Sequence, residues 1–282
     1  MSEQVFGLPS AAPRASAAVC IIGMHRSGTS ITARLLNVLG LNLGPSDSLM
    51  GPSPSNPTGH FEHLGFLEIN EALLRRFGGS WDNPPPLPPG WQQDSVVQCL
   101  AQQAAKLAEV MSVNGRSWGW KEPRTTVLLP FWRTIIPALR YVICIRNPLE
   151  VANSLVQRDG MTVAAACALW RRYMQAALEH TAGQPRALIF YKNFFRDPLC
   201  ELNRLAEFCG LEKLEQPDRL AGILAKELRH QRRGARALLV HPFVPLDCKL
   251  LYLGLRARQG RLAGVALLPR HREPEIIPAA DF

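Results

Sequence analysis

The stretch Val19-Cys20-Ile21-Ile22-Gly23-Met24-His25-Arg26-Ser27-Gly28-Thr29-Ser30-Ile31-Thr32-Ala33-Arg34 decides how this 282-residue chain folds. Val19 to Ile22 is a short apolar run rich in β-branched residues, which predicts a buried strand and is too short for a helix. Gly23 breaks the run. After Gly28, Ile31, Leu35, Val38 and Leu39 recur with a helical period. Strand, glycine-bounded turn and helix together aim backbone N–H groups and the positive end of a helix dipole at an anion.

Outward from that stretch, the chain alternates strands with helices. Leu139 to Ile145 is the clearest buried strand, and shorter ones are predicted at 117–121 and 187–191. Helices are predicted over 94–111, from Pro148 to about Gln157, and over 161–181. Another opens at Asp197-Pro198 and closes at Gly210. Such alternation predicts an α/β fold, a mostly parallel central sheet with helices on both faces. Residues 45–59 are rich in Pro, Ser and Gly and predict a long loop on the substrate side. The expected organisation is a flexible leader (1–17), one domain (18–240) and a C-terminal extension (241–282).

The formal net charge of +9 and a pI near 9.5 favour an anionic partner such as a nucleotide, an acidic glycan or a membrane surface. Sparse aromatic residues, not interleaved with the basic ones, argue against nucleic acid. The seven cysteines include no C-x-x-C pair, which fits a reducing compartment and argues against structural zinc. No signal peptide is expected at the Ala/Ser/Pro-rich start, and no apolar run is long enough to cross a bilayer. Cytoplasm is the expected location. Oligomeric state is not legible.

Gly23 and Gly28 have the spacing of a Walker A loop, and Ser30 stands where its Ser/Thr would be. The lysine is missing, because Thr29 holds that position, and the loop's cation is Arg26. The strand 139–145 is followed by Arg146 instead of a Walker B Asp, and Ser154 lies two turns along the next helix. Arg146 and Ser154 can clamp a phosphate, one by a charged fork and the other by its hydroxyl. The loop His25-Arg26-Ser27-Gly28-Thr29-Ser30 resembles the 5′-phosphosulfate loop of sulfotransferases that use 3′-phosphoadenylyl sulfate (PAPS). Arg146 to Ser154 resembles their 3′-phosphate motif. The resemblance implies a P-loop NTPase-like fold, PAPS as co-substrate and no metal. It assigns Arg26, Ser27, Gly28, Thr29, Ser30, Arg146 and Ser154 to the nucleotide.

Weaker matches extend it. Lys121-Glu122-Pro123-Arg124 is similar to a Lys-Asp-Pro-Arg segment of bacterial members, in either a structural or a substrate-side role. Tyr191 matches a Tyr beside the adenine, although Lys192 and Asn193 replace an acidic pair. Arg232-Arg233-Gly234 resembles a loop that closes on the 3′-phosphate. The transfer also needs a base. Gly59-His60-Phe61-Glu62-His63 resembles a Gly-x-Phe-Glu segment, with Glu62 favoured and His60 and His63 as alternates. The implied reaction moves a sulfuryl group to a hydroxyl or amine of a small-molecule, glycan or lipid acceptor. A P-loop kinase and a non-catalytic nucleotide- or glycan-binding module are the alternatives.

Overall fold

The computed structural model describes residues 18–54, 56–57, 59–113, 115–215, 223–224 and 234–262, with 259–262 described by backbone alone. The leader 1–17, Arg232, Arg233 and 263–282 lie outside the described residues.

Four strands, β1 (Ala18–Ile22), β2 (Gly119–Lys121), β3 (Leu139–Ile145) and β4 (Arg186–Phe190), form one sheet in the order β2-β1-β3-β4. Every pairing is parallel, with Ile21 opposite Lys121, Ile22 opposite Ile143 and Ile145 opposite Phe190. A parallel sheet needs crossover helices and is covered by them. The strands show this as a period of two. Cys20, Ile22, Tyr141, Ile143, Ile145 and Phe190 face one core, whereas Val19, Ile21, Val142, Cys144, Ala187 and Ile189 face the other.

The second core is closed by α1 (Thr29–Val38), through Ile31 and Leu35, and by α7 (Pro198–Cys209), through Leu202 and Leu205. The first is larger. It takes α2 (Leu64–Arg76), α3 (Ser95–Ser112), α4 (Thr125–Ile135), α5 (Pro148–Asp159) and α6 (Val163–His180). Phe66, Trp120 and Trp132 pack there with ring centroids 4.7–5.4 Å apart. Burying each such ring contributes about 1.5–3 kcal/mol. A short helix α8 (Ala235–Val240) precedes α9 (Leu246–Leu262), which packs on α5 and α6. Its Cys248, Tyr252 and Leu255, one helical face by spacing, are buried in the first core.

The predicted elements are present with ends shifted by a few residues, such as β2 beginning at Gly119 instead of Ser117. The proline-rich stretch 45–59 is more ordered than its composition suggests. It contains a 3-10 turn at Ser46–Ser48, and Leu49 bridges His63 in antiparallel fashion. Parallel order brings the carboxyl ends of all the strands to one edge. The β1–α1 turn, Lys121, Arg146 and Tyr191 therefore meet at that edge.

Candidate active site

The β1–α1 turn is built on close approach. A Cβ on Gly23 would lie 2.6 Å from the Cys144 carbonyl oxygen, so the turn lies directly against β3. The Gly23 N–H donates to Thr126 Oγ1 at 3.0 Å, and that hydroxyl donates back to the Gly23 carbonyl. Gly28, at φ +89°, caps α1, and a Cβ there would meet the Tyr191 ring at 2.4 Å. Tyr191 thus lies flush against the turn, a contact only glycine permits.

Arg26 has φ +66°, a left-handed backbone that a non-glycine residue adopts only when its surroundings hold it there. Two contacts do so. Its Nε donates to Ser154 Oγ at 2.8 Å, and its carbonyl accepts from Arg146 Nη1 at 3.1 Å. Arg146 also pairs with Glu150 at 2.9 Å and lies 4.3 Å over the Tyr191 ring. Arg26, Arg146, Ser154, Gly28 and Tyr191 are therefore one connected cluster. Ser154 bonds Arg26 and not Arg146, a pairing that their shared motif does not reveal. Burial, then Arg158 and Arg146, lower the affinity of the Arg26 guanidinium for its proton, so the site is a pocket of positive potential.

Thr29 is buried at the start of α1, and the Ser30 hydroxyl accepts from Asn56 Nδ2 at 3.3 Å. That bond ties the proline-rich stretch to the turn. Ser27 Oγ and His25 Nε2 are buried with no hydrogen-bond partner among the described residues. Buried polar atoms are normally paired. Two orphans in a glycine-bounded turn fit a loop that takes anionic oxygens. Burial and the surrounding Arg124, Lys121, Arg158 and Arg26 push the His25 imidazole well below its ordinary range, so it is neutral. Its ring packs 4.7 Å from Trp81, over which Arg158 also lies at 4.9 Å.

Glu62 is buried and forms an ion pair with Lys121, which is itself 2% exposed at the end of β2. His60 is half-buried, shares a 2.8 Å hydrogen bond with Ser53 Oγ, and feels Glu62, Lys121, Arg26 and Arg158. Burial outweighs the pull of Glu62 and lowers its pKa. His63 stands differently. It is the N-cap of α2, accepting from the Gly65 N–H at 3.2 Å, and its ring packs on Phe66. Behind Lys121, Glu122 accepts from Asn70 Nδ2 at 2.5 Å and Arg124 Nη1 at 2.6 Å. Burial pushes its carboxyl up to about 7, opposed most by Arg124.

Sequence reasoning missed Arg158, Trp81 and Asn56, which carry no motif and reach the site only through tertiary packing. It left the Lys121 segment open between a structural and a substrate-side role and did not foresee the pairing of Lys121 with Glu62. Gly234 lines a cavity with Arg146 and Tyr191. Among the described residues, no group of three or more His, Cys, Asp or Glu is arranged to hold a metal ion. No helix among them is long and apolar enough to cross a membrane.

Several solved structures resemble this one. The sulfotransferase domain of the Synechococcus PCC 7002 olefin synthase aligns at 17% identity over 89% of this chain and 91% of that one, with a TM-score of 0.49. Sulfotransferase STF9 from Mycobacterium avium aligns at 13% identity over 87% and 77%, with a TM-score of 0.47. Mouse sulfotransferase SULT7A1, solved with PAP, aligns at 14% identity over 87% and 81%, with a TM-score of 0.41. No curated protein matches significantly. The model of the family described as the sulfotransferase family matches residues 18–216, which include the β1–α1 turn, Glu62, Lys121, Arg146 and Ser154. A match over that much of the chain, on an all-parallel sheet with a lysine-free, glycine-bounded β1–α1 turn, places it: the protein belongs to the sulfotransferase family.

Proposed function

We propose that the chain moves a sulfuryl group from PAPS to an acceptor hydroxyl or amine and releases adenosine 3′,5′-bisphosphate. The observation that carries this reading is the Arg26 contact. The turn that would hold a triphosphate has Thr29 in place of lysine, and its own cation is bonded across the site to Ser154, beside Arg146.

In this reading the turn amides, Ser27, Thr29 and Ser30 hold the 5′-phosphate. The α1 N-terminus favours its charge. Ser154 accepts from Arg26 and keeps its own O–H proton for a donor-side anion. The acceptor oxygen (or nitrogen) attacks sulfur in line as the bond from sulfur to the 5′-phosphate oxygen breaks. The electron pair stays on that phosphate oxygen, where Arg26 meets the growing charge. The acceptor proton goes to the Glu62 carboxylate, which Lys121 orients. His60 stands beside this pair as the alternative base. Tyr191, packed against Gly28 and under Arg146, stands beside the adenine in this reading. The acceptor is a small molecule, glycan or lipid, and the seven free cysteines suit a reducing cytoplasm.

The test supplies labelled PAPS to the purified protein with a host extract, with and without excess EDTA, and identifies the labelled product. Transfer that survives EDTA is expected. Magnesium-dependent ATP hydrolysis, with no label transferred and no binding of adenosine 3′,5′-bisphosphate, would move the assignment to a P-loop kinase. Binding without transfer under any condition would leave a nucleotide-binding module.

A further inference from the structure

A cavity opens beside the Arg146 end of the site, lined by Arg146, Glu150, Tyr191, Lys192, Tyr252 and Arg256 among others. It joins the ends of β3 and β4 to α9, a helix that begins beyond residue 216, where the family match stops. Three of these side chains are cations. The one carboxylate among the lining residues, Glu150, is engaged by Arg146. Neither Lys192 nor Arg256 forms an ion pair with a carboxylate among the described residues.

Arg256 does not reach the cavity by chance of a loose tail. It follows Leu255 and lies one turn beyond Tyr252, both buried in the first core. The helix therefore presents its guanidinium at a fixed place. Lys192 approaches from the end of β4. Desolvation, then repulsion from Arg256 and Arg196, pulls its ammonium below the ordinary range. Like charges held together in this way raise the affinity of the space between them for an anion, and a guanidinium fork matches phosphate geometry.

We propose that Lys192 and Arg256 join Arg146 in a phosphate-binding site to which α9 contributes. On the donor reading given above, on which this part rests, the ligand is the 3′-phosphate. The C-terminal helix then helps to decide which nucleotide is accepted. Lys192, where the resemblance would place an acidic residue, becomes a partner of Arg256.

The experiment measures calorimetric binding of adenosine 3′,5′-bisphosphate and of 5′-AMP to the full chain, with Arg256→Gln and Lys192→Gln. Arg256→Gln is expected to weaken the bisphosphate about 10–100-fold, the worth of a charged hydrogen bond, and to leave 5′-AMP within about twofold. Lys192→Gln is expected to act in the same direction. Unchanged bisphosphate affinity in Arg256→Gln overturns the site. Should Arg256→Gln fail to fold, Lys192→Gln, on the cavity rim, decides instead, and unchanged affinity there overturns the site. If the parent binds both nucleotides equally, the donor reading fails by itself. Pyrophosphate is then the probe: weaker binding by Arg256→Gln upholds a phosphate site, and equal binding overturns it.

Discussion

In the proposed reaction Arg26 and Glu62 have opposite duties at the same centre, and substitution separates them. On the proposed reading Arg26 touches the donor in the ground state, through a guanidinium that is hydrogen-bonded to Ser154. Arg26→Ala is expected to weaken binding of adenosine 3′,5′-bisphosphate and to lower turnover as well. Glu62→Gln is expected to keep nucleotide affinity and lower turnover by about 10²–10⁴-fold, the usual contribution of a positioned base. Calorimetry beside a transfer assay reads both variants. If Glu62→Gln turns over like the parent while His60→Ala is inactive, the base is the histidine. Ser154→Ala is a finer probe. It leaves Arg26 charged but without its partner, so a loss of bisphosphate affinity smaller than that of Arg26→Ala is expected.

At the scale of elements, the β1–α1 turn and the α2 start are held by different means. Gly28→Ala must put a side chain at φ +89° and into the Tyr191 ring. The backbone alone costs about 1–3 kcal/mol, and the displaced ring should weaken nucleotide binding further. Thermal unfolding and bisphosphate titration check the two effects separately. At the start of α2, His63 accepts from the Gly65 N–H and packs on Phe66. His63→Ala is expected to cost about 0.5–2 kcal/mol of stability, as the loss of a cap does, with turnover per folded molecule unchanged. Inactivity in a fully folded His63→Ala protein would give His63 a chemical role. Both tests ask whether a residue shapes the edge or works at it.

For the whole molecule, buried charge sets a pH dependence. Glu122 is buried behind Lys121, and its carboxyl is pushed up to about 7 from an ordinary 4.5. Between those values the native state holds a proton that the unfolded chain releases. The contribution of this group is therefore fully present below pH 4.5 and is lost as the pH rises towards 7. Glu122→Gln removes that dependence. Its denaturation midpoint relative to the parent is expected to rise as the pH goes from 5 to 8. A constant difference across that range would mean that Glu122 is ionised throughout.

The chain by itself determined the sheet, the turn and the residues proposed to hold the phosphates. The runs Val19–Ile22 and Leu139–Ile145, the glycines of the turn, and Arg146 with its helix carry local signals. Buried parallel strands are continuous apolar runs, and a turn of positive φ needs glycine. Pairing was not local and so was not legible. That Ser154 bonds Arg26, that Lys121 bonds Glu62, and that Asn56 reaches Ser30 follow from parts of the chain 128, 59 and 26 residues apart meeting at one sheet edge. The end of the chain makes the same point. Arg256 lies in a segment with no motif, and only the burial of Cys248, Tyr252 and Leu255 against the first core brings it to the cavity. Strand and turn formation depend on neighbours in sequence, whereas a charged site depends on which strand and helix ends the packed core forces together.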